Sequence, residues 1–198
     1  MNVRSLLVVA ALVSAPVANA QTRKTSPPPP PPPASQPLSI GAWIGYEMGD
    51  LDGVQLRVDG ILPYQKLTPQ IDLSFVGSVG YSRLTLSESV FGFSVDSTAN
   101  ILKLVPAARF SVAVNPQVTL FGDAGLGLYI ASLSVDTNVP GATNLSDSSV
   151  GLMLRFGAGG LYQLNPRMQL GGSIVLDPML GDYSDSTFTI LAGLTYKL

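Results

Sequence analysis

The chain has 198 residues, of which 46% are apolar and only 12% charged, with eleven Lys and Arg against thirteen Asp and Glu. That length suffices for one domain with a sizeable core, while charge so far below the roughly 25% of an ordinary domain points to a non-aqueous neighbour. The basic residues are scattered and the net charge is −2, so no stripe exists to neutralise a run of phosphates and nucleic acid is excluded as a partner; Cys and His are both absent, which removes disulfides, thiol lipidation and the commonest general base.

Residues 1–20, "MNVRSLLVVAALVSAPVANA", carry one positive charge at Arg4, an apolar run from Leu6 to Val13 and a small-x-small ending at Ala18-Asn19-Ala20. This is the pattern of a secretory signal cleaved after Ala20. The apolar run stops at Ser14 and Pro16, short of the roughly 20 residues of a spanning helix. Residues 21–37 form a proline-rich linker with seven consecutive prolines, Pro27 to Pro33. Polyproline II at about 3.1 Å per residue makes those prolines a stiff spacer of roughly 20 Å.

From Leu38 to Leu198 the pattern becomes alternating. In "LSIGAWIGYEMG" the even positions Leu38, Ile40, Ala42, Ile44, Tyr46 and Met48 are apolar, and the odd ones are Ser39, Gly41, Trp43, Gly45, Glu47 and Gly49. Period two means a strand with two unlike faces. It recurs in "VQLRVDGILPY" from Val54, "QIDLSFVGSVGYS" from Gln70, "ILKLVPAARFSVAV" from Ile101 and "QVTLFGDAGLGLYI" from Gln117. It continues in "VGLMLRFGAGGLYQL" from Val150, "MQLGGSIVLDPML" from Met168 and "TFTILAGLTYKL" from Thr187. Each of these segments approaches or exceeds the roughly 10 residues of a tilted spanning strand. The fold class expected is therefore all-β, an eight-stranded antiparallel up-and-down transmembrane β-barrel over residues 38–198.

Connections alternate in length. Short ones fall at "QKLTP" (Gln65 to Pro69), "NPQ" (Asn115 to Gln117) and "NPR" (Asn165 to Arg167), where Asn-Pro favours turns. Long ones are expected at Arg83 to Ala99 and Ser132 to Ser148, with shorter partners at Gly49 to Gly53 and Leu180 to Ser186. Transmembrane barrels put tight turns on the periplasmic side and longer loops outside, which places the proline spacer in the periplasm. Pro106 and Pro178 fall within strands and predict local bulges.

In every strand the charged residues share the non-apolar parity. That face holds Glu47, Asp59, Asp72, Asp123 and Asp177 against Arg57, Lys103, Arg109, Arg155 and Lys197, five of each sign. The interior of an eight-stranded barrel is just wide enough to be filled by side chains, and buried charges must pair. These ten residues are the candidate interior charge network, an ionic plug in which Arg109 and Asp123 are neighbours across the Asn115-Pro116 hairpin. Tyr64, Phe110, Tyr162 and Tyr196 at the short-turn ends, with Tyr46, Tyr81 and Phe188 at the opposite ends, form candidate aromatic girdles, while Trp43 points inward. A soluble lipocalin-like barrel also alternates but turns its apolar face inward. Low total charge and the glycines on the charged parity, including Gly41, Gly45, Gly125, Gly127, Gly157, Gly159 and Gly193, argue against it.

With this pattern the chain resembles the small eight-stranded outer-membrane barrels of the OmpA and OmpX type from Leu38 to Leu198. The resemblance implies a bacterial outer-membrane location, monomeric assembly, contact with membrane lipid and lipopolysaccharide, and insertion by the outer-membrane assembly machinery. That machinery recognises a terminal aromatic in such barrels; here "LAGLTYKL" keeps the alternation but ends in leucine.

No catalytic residue, cofactor or metal is expected. Some barrels of this kind are enzymes that rely on histidine, and this chain has none. The pair Asp50 and Asp52 lies in "GDLDG", which reads as a turn, and "GDAGLGLY" (Gly122 to Tyr129) lies in a strand with no helix after it, so it is not a phosphate loop. Asp50, Asp52, Glu88, Asp96, Asp136, Asp147, Asp182 and Asp185 face Arg83 alone in the outer loops, an acidic rim that reads first as solvated surface and second as a divalent-cation site. "SVFGFSV" (Ser89 to Val95) is apolar for a loop and suggests a projecting hairpin open to strand pairing. The function expected is structural or surface-interacting around a plugged interior. A narrow channel for ions or small polar solutes is the alternative, and a soluble ligand-binding barrel the second.

Overall fold

The computed structural model describes residues 37–90, 93–137, 145–181 and 186–198; the expected signal and nearly all of the proline-rich linker lie outside the described residues. Eight antiparallel strands close into one barrel in chain order. They are β1 Ser39–Met48, β2 Asp52–Lys66, β3 Ile71–Val90, β4 Phe93–Ala113, β5 Val118–Thr137, β6 Leu145–Asn165, β7 Met168–Leu180 and β8 Ser186–Lys197. Asn115 and Asn165 build their turns through side-chain Oδ1, which accepts from the backbone N–H groups two and three residues on.

The stagger of the barrel follows from its register. Cross-strand partners lead from Gly151 to Tyr129, Lys103, Gly80, Arg57, Trp43, Gly193 and Gly171, and re-enter β6 at Leu161, ten residues from where the path began. With about 3.3 Å rise and about 4.7 Å strand spacing, this tilts the strands by about 41° and sets a backbone radius of roughly 8 Å. Each residue advances about 2.5 Å along the axis, so ten residues cross the roughly 25 Å apolar band of such barrels.

That band is on the outside. Ile44, Leu56, Val58, Phe75, Val79, Leu104, Leu126, Leu128, Leu152, Ile174, Ile190 and Leu194 are all exposed. The soluble barrel, which needs an apolar interior, is thereby set aside.

Two expectations need correction. The long loops at Arg83 to Ala99 and Ser132 to Ser148 are largely strand, because β3 runs to Val90, β4 starts at Phe93, β5 runs to Thr137 and β6 starts at Leu145. Alternation continues there with its sense reversed. Outward positions become polar at Arg83, Thr85, Asn100 and Ser132, whereas inward Leu84, Ala99 and Ala131 are buried. Water has replaced lipid as the outer neighbour, so reading for lipid-facing apolar residues misses the strand. The second correction concerns the prolines. The ladder is interrupted beside Pro106 and Pro178 but resumes in the same register, and the register shifts lie at Pro63/Gln65 and Gln163/Asn165. Each proline's missing N–H leaves a gap in the ladder rather than an extra residue.

β2 pairs with β3 only as far as Thr85, and β7 pairs with β6 only from Leu152. Beyond those points β3 to β6 continue as a four-stranded sheet. Among the described residues, Leu86–Val90 and Leu145–Val150 are its two unpaired edges. The described parts of "SVFGFSV" belong to this sheet, with Ser89 opposite Ser94 and Val90 opposite Phe93.

Candidate functional site: barrel interior and projecting sheet

The inward face of the barrel carries its buried charge in the middle of the barrel. Glu47, Asp59, Asp123 and Asp177 are buried with Arg57, Lys103, Arg109 and Arg155, four acids against four bases. They form two linked groups. In the upper one Lys103 Nζ donates to Glu47 Oε1 at 2.5 Å and Asp177 Oδ2 at 3.3 Å, and Arg155 donates through Nε and Nη2 to the two oxygens of Asp177 at 2.8 and 2.9 Å. Gln55 Nε2 and Ser82 Oγ donate to Glu47 Oε2, and Lys103 also reaches Thr187 Oγ1.

In the lower group Arg109 holds Asp123 through Nε and Nη2, both at 2.7 Å, and its Nη2 lies 3.7 Å from Asp59. Arg109 and Asp123 are direct cross-strand partners. Asp59 sits 3.1 Å from Arg57 and accepts from Ser78. Two guanidiniums also lie over rings, Arg57 at 5.1 Å from Trp43 and Arg109 at 4.1 Å from Phe121. A cation over an aromatic face is attracted by the ring quadrupole, and more so where water is excluded.

Asp72 and Lys197, also assigned to this network, lie elsewhere. Asp72 is partly exposed 3.9 Å from Lys66, and Lys197 donates to Gln163 Oε1 at 3.3 Å, both at the short-turn end. Being the first and last inward charges of their strands, they fall at the barrel mouth.

The network is covered on its outer side. Leu51, Leu84, Ala99, Ile101, Val105, Tyr129, Ala131, Met153 and Met179 form one buried cluster. Ile101, Met153 and Met179 each stand two residues beyond Lys103, Arg155 and Asp177, on the same inward face. Leu51, from the turn read only as "GDLDG", also reaches this cap. A second cluster of Trp43, Phe121, Leu161, Val175 and Leu191 lies beneath, and glycines make room for it. A Cβ on Gly193 would come within 2.6 Å of the Trp43 ring, and one on Gly171 within 2.8 Å.

The aromatic candidates lie on the outer surface. Tyr64, Phe110, Tyr162 and Tyr196 are exposed near the short turns, and Tyr64 packs edge-on against Phe75 at 4.9 Å. Tyr46, Tyr81 and Phe188 are exposed toward the other end. Phe188 and Tyr196 are eight residues apart on β8, which is about 20 Å along the axis. Among the described residues no group of three acidic side chains is placed to hold a cation.

No protein-family model and no curated protein matches the chain. Solved structures do. Neisserial surface protein A superposes with a TM-score of 0.56 at 16% identity, over 83% of this chain and 98% of that one. A major outer membrane protein from Thermus thermophilus gives 0.55 at 16% identity, over 81% and 99%. The chain shares the fold of these small outer-membrane β-barrels. The outer-membrane protease OmpT from Escherichia coli also superposes, at 0.54 and 10% identity, over 74% of this chain and 64% of its own. A protease therefore shares the barrel architecture, and the fold alone does not decide whether a chain catalyses. Closed pairing, a lipid-width outer band and this fold make the chain an outer-membrane barrel.

Proposed function

We propose that the protein is a non-enzymatic, monomeric outer-membrane barrel whose interior is a side-chain plug and whose working surface is the projecting sheet of β3 to β6. The observation that carries the reading is the balanced charge network lying directly beneath an apolar cap. An ion entering from outside would have to shed water to pass the cap and then displace groups already paired at hydrogen-bond distance. A non-enzymatic role is supported by the missing histidine and by interior carboxylates that are committed to Arg and Lys. The unpaired edges of the sheet suit contact with a partner, because an open edge offers backbone donors and acceptors to an added strand.

One observation favours the narrow channel. Arg57 Nη2, Arg109 Nη1, Arg155 Nη1, Ser173 Oγ, Thr189 Oγ1 and Thr195 Oγ1 are buried without a hydrogen-bond partner in the protein, a polar lining that could carry solute from the short-turn end up to the cap. Planar-bilayer recording separates the two readings, after heat-modifiable gel migration has established insertion. Insertion without steady current is the result expected of a plug, and steady current in the wild type would establish the channel.

A further inference from the structure

Among the described residues Arg83 is the only basic residue at the outer end of the barrel, where Asp50, Asp52, Asp96 and Asp147 also lie. It points outward from β3, two residues beyond Tyr81, where the lipid-facing apolar run of Phe75, Val79 and Tyr81 ends. Its cross-strand neighbours are Val54 on β2 and Asn100 on β4. On β4 the outward apolar run of Leu104 and Leu102 likewise ends just before Asn100. Both residues therefore stand at the boundary between hydrocarbon and headgroups.

Asn100 is held in place. Tyr81 Oη donates to Asn100 Oδ1 at 2.8 Å, which engages the amide oxygen and leaves the Nδ2 hydrogens as donors on the residue paired across the strands with Arg83. Arg83 makes no ion pair among the described residues. The nearest carboxylate by register, Asp52 opposite Thr85, accepts from the N–H of Gly49 in its own turn. A fork of guanidinium donors next to an amide donor, facing the headgroup layer from an otherwise acidic surface, matches a phosphate.

We propose that Arg83 and Asn100 form a binding site for the phosphorylated headgroup of an outer-leaflet lipid, the phosphorylated lipid A moiety of lipopolysaccharide. The site goes beyond the reading of the interior and does not depend on it. Tyr81 acts as a positioning residue whose hydroxyl fixes the amide. Acidic loops would repel this headgroup over most of the outer rim, so binding is confined to one azimuth of the barrel.

The test uses the full barrel in phosphatidylcholine vesicles doped with either phosphorylated or enzymatically dephosphorylated lipopolysaccharide, with retention of labelled lipid on the purified barrel as the readout. Wild type retains the phosphorylated form preferentially. Arg83→Gln loses that preference by about tenfold, as expected for one charge-assisted contact at an interface, and Arg83→Lys keeps part of it. Arg167→Gln, at the opposite end, leaves retention unchanged. Heat-modifiable migration of each variant establishes that the barrel is folded. Equal retention of both lipid forms, or wild-type retention by folded Arg83→Gln, overturns the proposal. Loss of retention in millimolar inorganic phosphate also overturns it, since the site would then take the free ion rather than the anchored headgroup.

Discussion

Replacing Arg109 by Met removes two 2.7 Å bonds to Asp123 and the cation lying 4.1 Å over Phe121, while leaving Asp123 only 8% exposed. Breaking a buried pair by removing one partner costs about 3–5 kcal/mol, because the surviving charge stays desolvated. Asp59 does not share that fate, since Arg57 and Ser78 still face it. The reverse change, Asp123→Leu, leaves Arg109 with Asp59 at 3.7 Å and with the Phe121 ring, so its cost should be smaller, about 2 kcal/mol. The double variant replaces both charges with apolar groups and should cost about 1 kcal/mol, which against single costs of about 4 and about 2 kcal/mol makes the coupling energy about 5 kcal/mol. Reversible urea unfolding from lipid vesicles is the assay. At an m-value of about 2 kcal/mol/M the midpoint should fall by roughly 2 M for Arg109→Met and recover most of that in the double variant. Single variants that each cost under 1 kcal/mol, or a double variant whose cost is their sum, would refute the claim that the interior is a paired ionic plug.

The glycines allow a paired comparison. Gly193→Ala drives a Cβ into the Trp43 ring and should destabilise by about 2 kcal/mol or more, whereas outward Gly77→Ala meets no atom within 4 Å and should be neutral or slightly stabilising by urea midpoint. Lys103→Met leaves Glu47 with only Gln55 and Ser82 while Asp177 keeps Arg155, so a loss of about 3 kcal/mol is expected in the same assay. Tyr129→Ser thins the cap above the network and should raise bilayer conductance from baseline more than Trp43→Ala does, because only the former opens the outer seal. In hydrogen exchange, the β6 amides between Leu145 and Val150 that face away from β5 should exchange at least 100-fold faster than those between Phe156 and Gln163, which are paired on both sides.

The membrane-spanning part of the fold was legible because lipid outside keeps every charge of the spanning segments on the inward parity, so eight strands and their faces follow from reading parity, and the Asn-Pro turns from turn chemistry. The same rule failed where the outer neighbour changes. At the two ends of Arg83–Ala99, Leu84 and Ala99 still turn inward while Arg83 and Thr98 turn outward, but that is the pattern of a water-exposed sheet. Eight of the ten charged positions share the buried network. Asp72 and Lys197 do not, because parity fixes which face a residue takes and not how far along the axis it lies. That height depends on the ten-residue stagger, which is set by pairing between distant strands. The hydrogen-bonding polar residues Gln55, Ser78, Ser82 and Thr187 share the inward parity of the charges and could have been added on that signal. Leu51 could not, since nothing local distinguishes a turn residue that folds over the barrel mouth.

The most direct test of a sealed, charge-filled barrel in lipid exploits the absence of native cysteine. Single cysteines placed at Thr189, Ile190, Leu191, Ala192 and Leu194 of β8 and labelled with nitroxide report collisions with lipid-soluble oxygen and with a water-soluble paramagnetic complex. The account predicts high oxygen access at residues 190, 192 and 194 and low access to both reagents at 189 and 191. High access of the water-soluble complex at 189 and 191 would contradict it by making the interior an open aqueous pore.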